Sequence, residues 1–377
     1  MSKVLFISNI SNRISSFVTA SISAAHNLNI DFYQTSNWQS TPEEQIFAEE
    51  QEYDIKIKSV PISRNPFARA NLTAYKELVA LIRQERIDYI HCNTPVGGLL
   101  GRLVGKKCRV KKVIYQAHGF HFYRGAPLLN WLAYYPVERW LARYTDALIT
   151  INEEDYALSK RKMKLRNGGR VYYVPGVGID CHKFGNETVD RAAKRRALGI
   201  PEDAVLLLSV GELNNNKNHK TVIRAISDLD VQYLIAGQGE LQQQLEALID
   251  ELNLRDRVKL LGFRSDVKEL YEVADIFVFP SFREGLSLAV MEAMASGLPC
   301  VASRIRGNSD LLGKAEGGFL CDPRDASEFA EKLNLLAADA ALREKMGRVN
   351  RMAIENFSTE TVIREMQKIY AAEFLSG

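Results

Sequence analysis

The stretch "DIFVFPSFREGLSLAVMEAMASGLPCVASR", Asp275 to Arg304, packs a strand, a loop, a helix and a second strand into 30 residues. "DIFVF" is an apolar run too short for a helix, and it ends at Pro280. After the loop Phe282–Arg283–Glu284 the spacing predicts a helix from near Leu286. Gly297 and Pro299 stop it, and "PCVASR" follows as the next strand. A strand joined through a helix to another buried strand makes a parallel pair with helices on its faces.

The same alternation runs along the whole chain. "KVLFIS", "IDFYQT", "YDIKIKSV", "IDYIHCN", "KVIYQAHG", "DALITIN" and "VYYVPG" are strands of the first half. The helix "LTAYKELVALIRQERI" between two of them has Leu72, Tyr75, Leu78, Val79 and Ile82 on one face. The strand series restarts near residue 203 with "AVLLLSVG", then "QYLIAGQG", "VKLLGF", "DIFVFPS", "PCVASR" and "GGFLCD". An α/β chain with two doubly wound domains is expected, joined through the Gly- and Pro-containing linker Pro175–Pro201. The expected boundaries are 1–178 for an N-terminal domain and 196–357 for a C-terminal one. Residues 358–377, with the amphipathic "ETVIREMQKIYAAEFL", are expected as a helix packing back on the first domain. In such folds ligands collect at the carboxyl ends of the strands, so two facing domains should form a cleft.

At 377 residues, two domains are the natural division. With 49 basic and 46 acidic residues the net charge is +3, which does not suggest a general nucleic-acid binder. Two basic runs, Lys106–Lys112 and Lys160–Arg170, read either as solvated faces or as attraction to an anionic membrane or phosphorylated acceptor. The five cysteines show no metal-like or redox spacing and read as reduced thiols of a cytoplasmic protein. "MSKVLFISN" reads as a strand rather than a leader. No apolar run approaches the ~20 residues of a membrane span, so any membrane attachment is expected to be peripheral. The first strand runs into "SNISNR" with no G-x-G-x-x-G, and no P-loop is present. A dehydrogenase is therefore poorly supported.

Within the opening stretch, the free N–H groups around Gly285, Leu286 and Ser287 at the helix start form an anion site. Glu284 sits beside it, suited to sugar hydroxyls. Glu292 lies roughly 9 Å further along the axis, about the reach from a diphosphate to a ribose. Its neighbours Met291, Ala293, Met294 and Ala295 argue against a solvent-facing turn. In "SVGELNNNKNHKTV", Gly211 marks the turn after a strand and Lys217 is a compact cation for a diphosphate. "LLGFRSD" offers Phe263 and Arg264 to flank a base, or is a plain loop. "AGQGE" is a strand-ending turn. In "YQAHGFHFYRGAP", His118 is the first candidate for catalysis, with His121 behind it. Gly97 and Gly98 allow close approach of an acceptor or close packing. "PLLNWLAYYPVERWLARY" reads either as an aromatic interfacial belt or as a core helix.

The motifs "HGFHFYRGAP", "TINEEDY", "VPGVGID", "SVGELNNNKNH", "EGLSLAVME" and "SRIRGNSDL" occur in that order in a chain that resembles the retaining glycosyltransferases of family 4 throughout. Within that family it is similar to bacterial capsule, exopolysaccharide and lipid-linked-oligosaccharide transferases. The resemblance implies a GT-B fold of two Rossmann-like domains, the first for the acceptor and the second for the nucleotide-sugar. By that resemblance Glu284 holds donor-sugar hydroxyls, and Gly285, Leu286, Ser287 and Lys217 hold the diphosphate. Glu292 binds the ribose, and His118 positions the sugar. Where the family leads one to expect an arginine this chain has Glu212, so Lys217 acts alone or Arg306 supplies the charge. The implied reaction moves a hexose or N-acetylhexosamine from a UDP-sugar to a polyprenyl-diphosphate-linked saccharide, with retention and by front-face attack. It uses no metal and no cofactor, and takes place at the inner face of the cell membrane. The rival readings are a UDP-sugar 2-epimerase on the same fold and a nucleotide-sugar-binding protein without turnover.

Overall fold

Runs such as Val4–Ile7 are apolar at every position, which suits a strand covered on both sides. In the computed structural model, which describes residues 1–185, 189–314 and 316–375, Val4, Leu5, Phe6 and Ile7 are all fully buried. Leu5 and Ile7 join Tyr33, Ile90, Cys92 and Val113 on one face of a sheet. Val4 and Phe6 join Phe32, Ile114 and Ile149 on the other.

The chain divides into two units, Met1–Gly178 with Thr359–Gly377, and Ile179–Ser358. The strands of the first are β1 (Ser2–Ile10), β2 (Ile30–Asn37), β3 (Lys56–Ser59), β4 (Tyr89–Asn93), β5 (Lys112–Ala117), β6 (Ala147–Thr150) and β7 (Arg170–Tyr173). They form a seven-stranded sheet in the order β3-β2-β1-β4-β5-β6-β7. The second unit has β8 (Leu206–Val210), β9 (Gln232–Ala236), β10 (Val258–Leu260), β11 (Ile276–Phe279), β12 (Cys300–Ser303) and β13 (Gly318–Cys321). Their order is β10-β9-β8-β11-β12-β13. Every pairing in both sheets is parallel. This is the doubly wound α/β architecture of the GT-B fold, and the order of winding reverses between β1 and β4 and again between β8 and β11. Successive helices leave those two strand pairs for opposite faces, which opens a crevice at the strands' carboxyl ends.

Helix Pro95–Cys108 lies unusually close to the first sheet. A Cβ at Gly98 would come within 2.4 Å of the Tyr115 ring, and one at Gly101 within 2.6 Å of the Cys92 Cβ. The glycines at 97 and 98 therefore serve packing, and no ligand approach is needed to explain them. Across the same helix, Arg102 is 1% exposed. It donates to both oxygens of Glu138 at 2.7 and 3.2 Å, and its guanidinium lies 3.8 Å over the Tyr115 ring. That pair ties Pro95–Cys108 to helix Leu128–Leu141.

From Thr359 on, the chain belongs to the first unit: Tyr89 stacks on Phe374 at 4.2 Å, and Glu373 is enclosed by Arg170, Lys112 and Tyr172. The stretch expected as a free linker is different. The Ile179 N–H donates to the Phe357 carbonyl at 3.1 Å, so the second unit begins there and not at 196. Helix Arg191–Ala197 carries Arg195, buried on Asp275 at 2.6 Å and on the carbonyls of Val273, Glu202 and Ala204. One buried guanidinium with that many acceptors is enough to fix a short basic helix that looks soluble on its own. Residues 186–188 of that stretch lie outside the described residues. All five cysteines are free, and burial pushes the Cys92 thiol up to about 12.

Replacing Arg102 by alanine leaves Glu138 as a charge without its partner in a site only 14% exposed. Urea denaturation of Arg102→Ala is expected to show a loss of about 3–5 kcal/mol. The double replacement Arg102→Met/Glu138→Leu should recover most of it.

Candidate functional site

In the second unit the loops that follow β8 and β11 meet at the reversal of strand order, and asparagines join them. The Asn216 carbonyl accepts the Phe282 N–H at 2.8 Å, while its side-chain amide donates to the Arg283 carbonyl at 3.0 Å. Asn218 takes a left-handed conformation (φ 56°) and donates to the carbonyls of Pro280 and Pro323 at 3.0 and 2.7 Å. The Asn214 carboxamide oxygen accepts the Lys217 N–H at 3.0 Å. Asparagine suits these places because its short amide bonds backbone, and at 218 it also tolerates positive φ.

These contacts aim Lys217 at Glu284. Its ammonium donates to Glu284 Oε1 at 2.8 Å and lies 4.7 Å over the Phe279 ring. Both side chains are largely covered, at 21% and 17% exposure. The lysine stem runs across Gly211, where a Cβ would come within 3.2 Å of it. Glu212 points away, exposed and accepting from Asn214 at 2.8 Å. Arg306 is buried against the same loop, and its Nε donates to the Glu284 carbonyl at 3.2 Å. It braces the backbone under the carboxylate. Gly307 presses on that loop too, since a Cβ there would lie 2.5 Å from the Gly285 oxygen.

Helix Leu288–Ala295 starts two residues later than its sequence suggests. Ser287 is extended and its hydroxyl accepts the Val290 N–H, so it is the cap and not the first turn. Among the described residues, the N–H groups of Gly285, Leu286 and Ser287 make no hydrogen bond. Glu292 is half-buried one turn on, where its Oε2 accepts from the Tyr271 hydroxyl at 3.0 Å. Burial raises the Glu292 carboxyl above its ordinary value and the tyrosine bond partly offsets this. Arg264 is elsewhere engaged: it forks onto Asp266, which Lys194 also holds, and leaves Phe263 75% exposed. A base-flanking role for Arg264 would have to work with its charge already paired.

In the first unit a pocket of about 980 Å³ opens at the carboxyl ends of β1, β4 and β5. Its polar floor includes Asn9, Asn93, Thr94 and His118, and Phe17, Phe67, Tyr134 and Val137 give it apolar walls. Thr94 is held at φ 60° and ψ 155°, a conformation β-branched residues avoid at a cost of about 1–3 kcal/mol. Its hydroxyl donates to the Asn9 carboxamide at 2.8 Å, which also takes the Gly97 N–H. Asn93 Nδ2 lies 3.3 Å from His118 Nε2. Burial pushes His118 down to about 4, so it is neutral at pH 7. Among the described residues, His118 Nδ1 is buried and has no hydrogen-bond partner. His121 lines the same pocket, stacked on Tyr134 at 4.7 Å.

The structure thus joins Lys217, Glu284, Gly211 and the loop Gly285–Ser287 in one unit and sets His118 in the other. Sequence reasoning missed Tyr271, Asn9, Asn93 and the asparagine stitching. The signal for Asn9 and Asn93 was there, because a buried polar amide at the end of a strand needs a reason. Among the described residues, no group of three or more His, Cys, Asp or Glu side chains is placed to hold a metal, and no helix is long and apolar enough to cross a membrane.

Two family models match the chain, "Glycosyltransferase Family 4" over residues 24–181 and "Glycosyl transferases group 1" over 190–352. EpsD of Bacillus subtilis (strain 168), named as a glycosyltransferase, is 39% identical over 83% of this chain and 84% of its own length. An Escherichia coli protein named UDP-Gal:alpha-D-GlcNAc-diphosphoundecaprenol alpha-1,3-galactosyltransferase is 27% identical over 82% of this chain and 81% of its own. Among solved structures, Anabaena HepE in complex with UDP and glucose superposes with a TM-score of 0.78 at 19% identity, covering 99% of this chain and 100% of that one. Sucrose-phosphate synthase from Thermosynechococcus elongatus gives a TM-score of 0.82 at 20% identity, with both chains fully covered.

Burial lowers His118 and His219 to about 4 and His91 to about 3, so the unfolded chain binds protons that the folded one refuses. Stability is therefore intact above pH 6.5 and falls as the pH drops from 6.5 towards 3. Urea midpoints measured across that range should show this slope, and His91→Gln should flatten it.

Proposed function

Since this chain belongs to the glycosyltransferases and carries the GT-B fold, we propose that it moves a hexose or N-acetylhexosamine from a UDP-sugar to a polyprenyl-diphosphate-linked saccharide, retaining the anomeric configuration. The observation that carries this reading is the Lys217–Glu284 pair at the β8/β11 reversal, set beside three unengaged N–H groups. Lys217 and the N–H groups of Gly285, Leu286 and Ser287 form a cationic and dipolar seat for a diphosphate. As the sugar–phosphate bond breaks, negative charge grows on the departing oxygen, and donors already in place lower the barrier. Glu284, anchored by Lys217, has acceptor capacity left for the sugar's hydroxyls. Glu292 accepts the ribose hydroxyls, with Tyr271 keeping its carboxylate oriented. The neutral His118, which lines the first unit's pocket, is the residue of that unit proposed to contact a sugar.

The base and the acceptor rest on relatives. The E. coli relative's name specifies a UDP-sugar and a diphosphoundecaprenol-linked acceptor, and Anabaena HepE was crystallised with UDP. EpsD supports a place in exopolysaccharide synthesis, and the proposed reaction takes place at the cytoplasmic face of the membrane. For retention with no second carboxylate assigned to attack, the departing diphosphate takes the acceptor's proton on the same face.

Incubating the chain with UDP-sugars and an undecaprenyl-diphosphate-linked saccharide should give an α-linked product by NMR, and only when acceptor is present. Consumption of the donor without acceptor would instead indicate an epimerase. Lys217→Ala and Glu284→Gln are each expected to cut kcat/KM by about 10²–10³. In calorimetric titrations Glu292→Ala should weaken UDP binding by about 10–100-fold. Tyr271→Phe removes the bond that holds the Glu292 carboxyl down, so UDP affinity should begin to fall at a higher pH than in the unaltered chain.

A further inference from the structure

The loop that follows β3 is fixed in shape, yet the arginine it carries is tied to nothing. Asn71, 7% exposed near the start of helix Ala70–Gln84, accepts the Ser63 N–H at 2.9 Å and donates to the Asn65 carbonyl at 2.8 Å. The Asn65 carboxamide oxygen accepts the Phe67 N–H at 3.0 Å, and Ser63 Oγ accepts the Asn65 N–H at 3.2 Å. Short amides and hydroxyls lock a turn in this way. Arg64 rides on the locked loop and lines the 980 Å³ pocket of the first unit. Among the described residues its guanidinium has no hydrogen bond or ion pair, and no other lysine or arginine lines that pocket. The carboxylate in the lining, Glu138, is already matched by Arg102.

Other groups at the pocket also lack partners. Helix Ser16–Asn27 starts there at Ser15, whose hydroxyl does not cap it, and among the described residues the N–H groups of Ser16 and Phe17 make no hydrogen bond. Asn93, 2% exposed, lines the pocket, and its Oδ1 is an acceptor without a donor. A free guanidinium beside an uncapped helix start suits an anion, whereas a buried acceptor suits a hydroxyl. A saccharide carrying a phosphate ester has both. We infer that Arg64 binds the phosphoryl oxygens of the acceptor's diphosphate, and so selects a diphosphate-linked saccharide over a neutral glycoside of the same sugar. This rests on the lipid-linked acceptor proposed above. The planar fork of an arginine meets two phosphoryl oxygens at once, an interaction that a neutral glycoside cannot return. Because the loop bonds already hold the Arg64 backbone, only its side chain has to be ordered on binding.

The test is calorimetric titration of the full chain with two probes, farnesyl-diphosphate-linked N-acetylglucosamine and the farnesyl glycoside of N-acetylglucosamine, which lacks the diphosphate. Saturating UDP keeps the second unit's diphosphate seat filled throughout. The unaltered chain should bind the diphosphate probe about 10–100-fold more tightly than the neutral one. Arg64→Ala should abolish that preference by weakening the first probe alone, and Arg64→Lys, a cation without the fork, should restore part of it. UDP titrations of both variants should match the unaltered chain, which checks their fold. A chain that bound no UDP would sink the functional reading of the second unit while leaving the Arg64 comparison in force. The same preference in Arg64→Ala as in the unaltered chain would overturn the inference. So would an equal loss of both probes in that variant, or failure of the unaltered chain to bind the diphosphate probe.

Discussion

Two strands that must be buried on both faces, and whose helices must leave in opposite directions, impose one constraint on everything else here. Backbone groups at their carboxyl ends have no neighbour to pair with, so side chains and loop amides must supply partners. In the second unit that gap is closed by Asn214, Asn216 and Asn218, which lash the β8 loop to the β11 loop. In the first it is closed by Asn9 and Thr94. The polar groups that these loops collect are held on rigid strand ends, and chemistry that depends on fractions of an ångström needs that rigidity.

The Lys217–Glu284 pair shows how such a site stores its charges before a ligand arrives. Each of the two groups spends part of its hydrogen-bonding capacity on the other. Arg306 and Gly307 then fix the backbone beneath the carboxylate. Glu292 is handled differently, in a drier place where a single phenol hydroxyl resists the effect of burial. Two carboxylates on neighbouring segments thus have different partners, an ammonium for Glu284 and a phenol for Glu292.

Helix Leu128–Leu141 lines the first unit's pocket on one side and faces outward on the other. Its inner face is pinned by Arg102–Glu138 and Trp131, and its outer face is left apolar. The buried ion pair contributes orientation as much as stability, because it fixes which side of an apolar helix faces out.

The alternation of buried strands with amphipathic helices, the restart near residue 203 and the order Glu284, Gly285, Glu292 were all legible in the linear chain. They depend on local periodicity and on spacing along one segment, which a sequence carries directly. The start of the second unit at Ile179 was not legible, because it turns on Arg195 reaching Asp275, 80 residues away. Nor was the choice between packing and ligand approach at Gly98, which the Tyr115 ring decides. Tyr271 against Glu292, Asn93 against His118 and the exposed stripe of Leu128–Leu141 belong to the same class. By itself the sequence determined the alternation of strands with helices and the polar groups of the Glu284–Glu292 segment. Only the tertiary structure decided which of those groups face one another, because contact between distant segments follows from strand order and helix rotation, and neither is written in any local pattern.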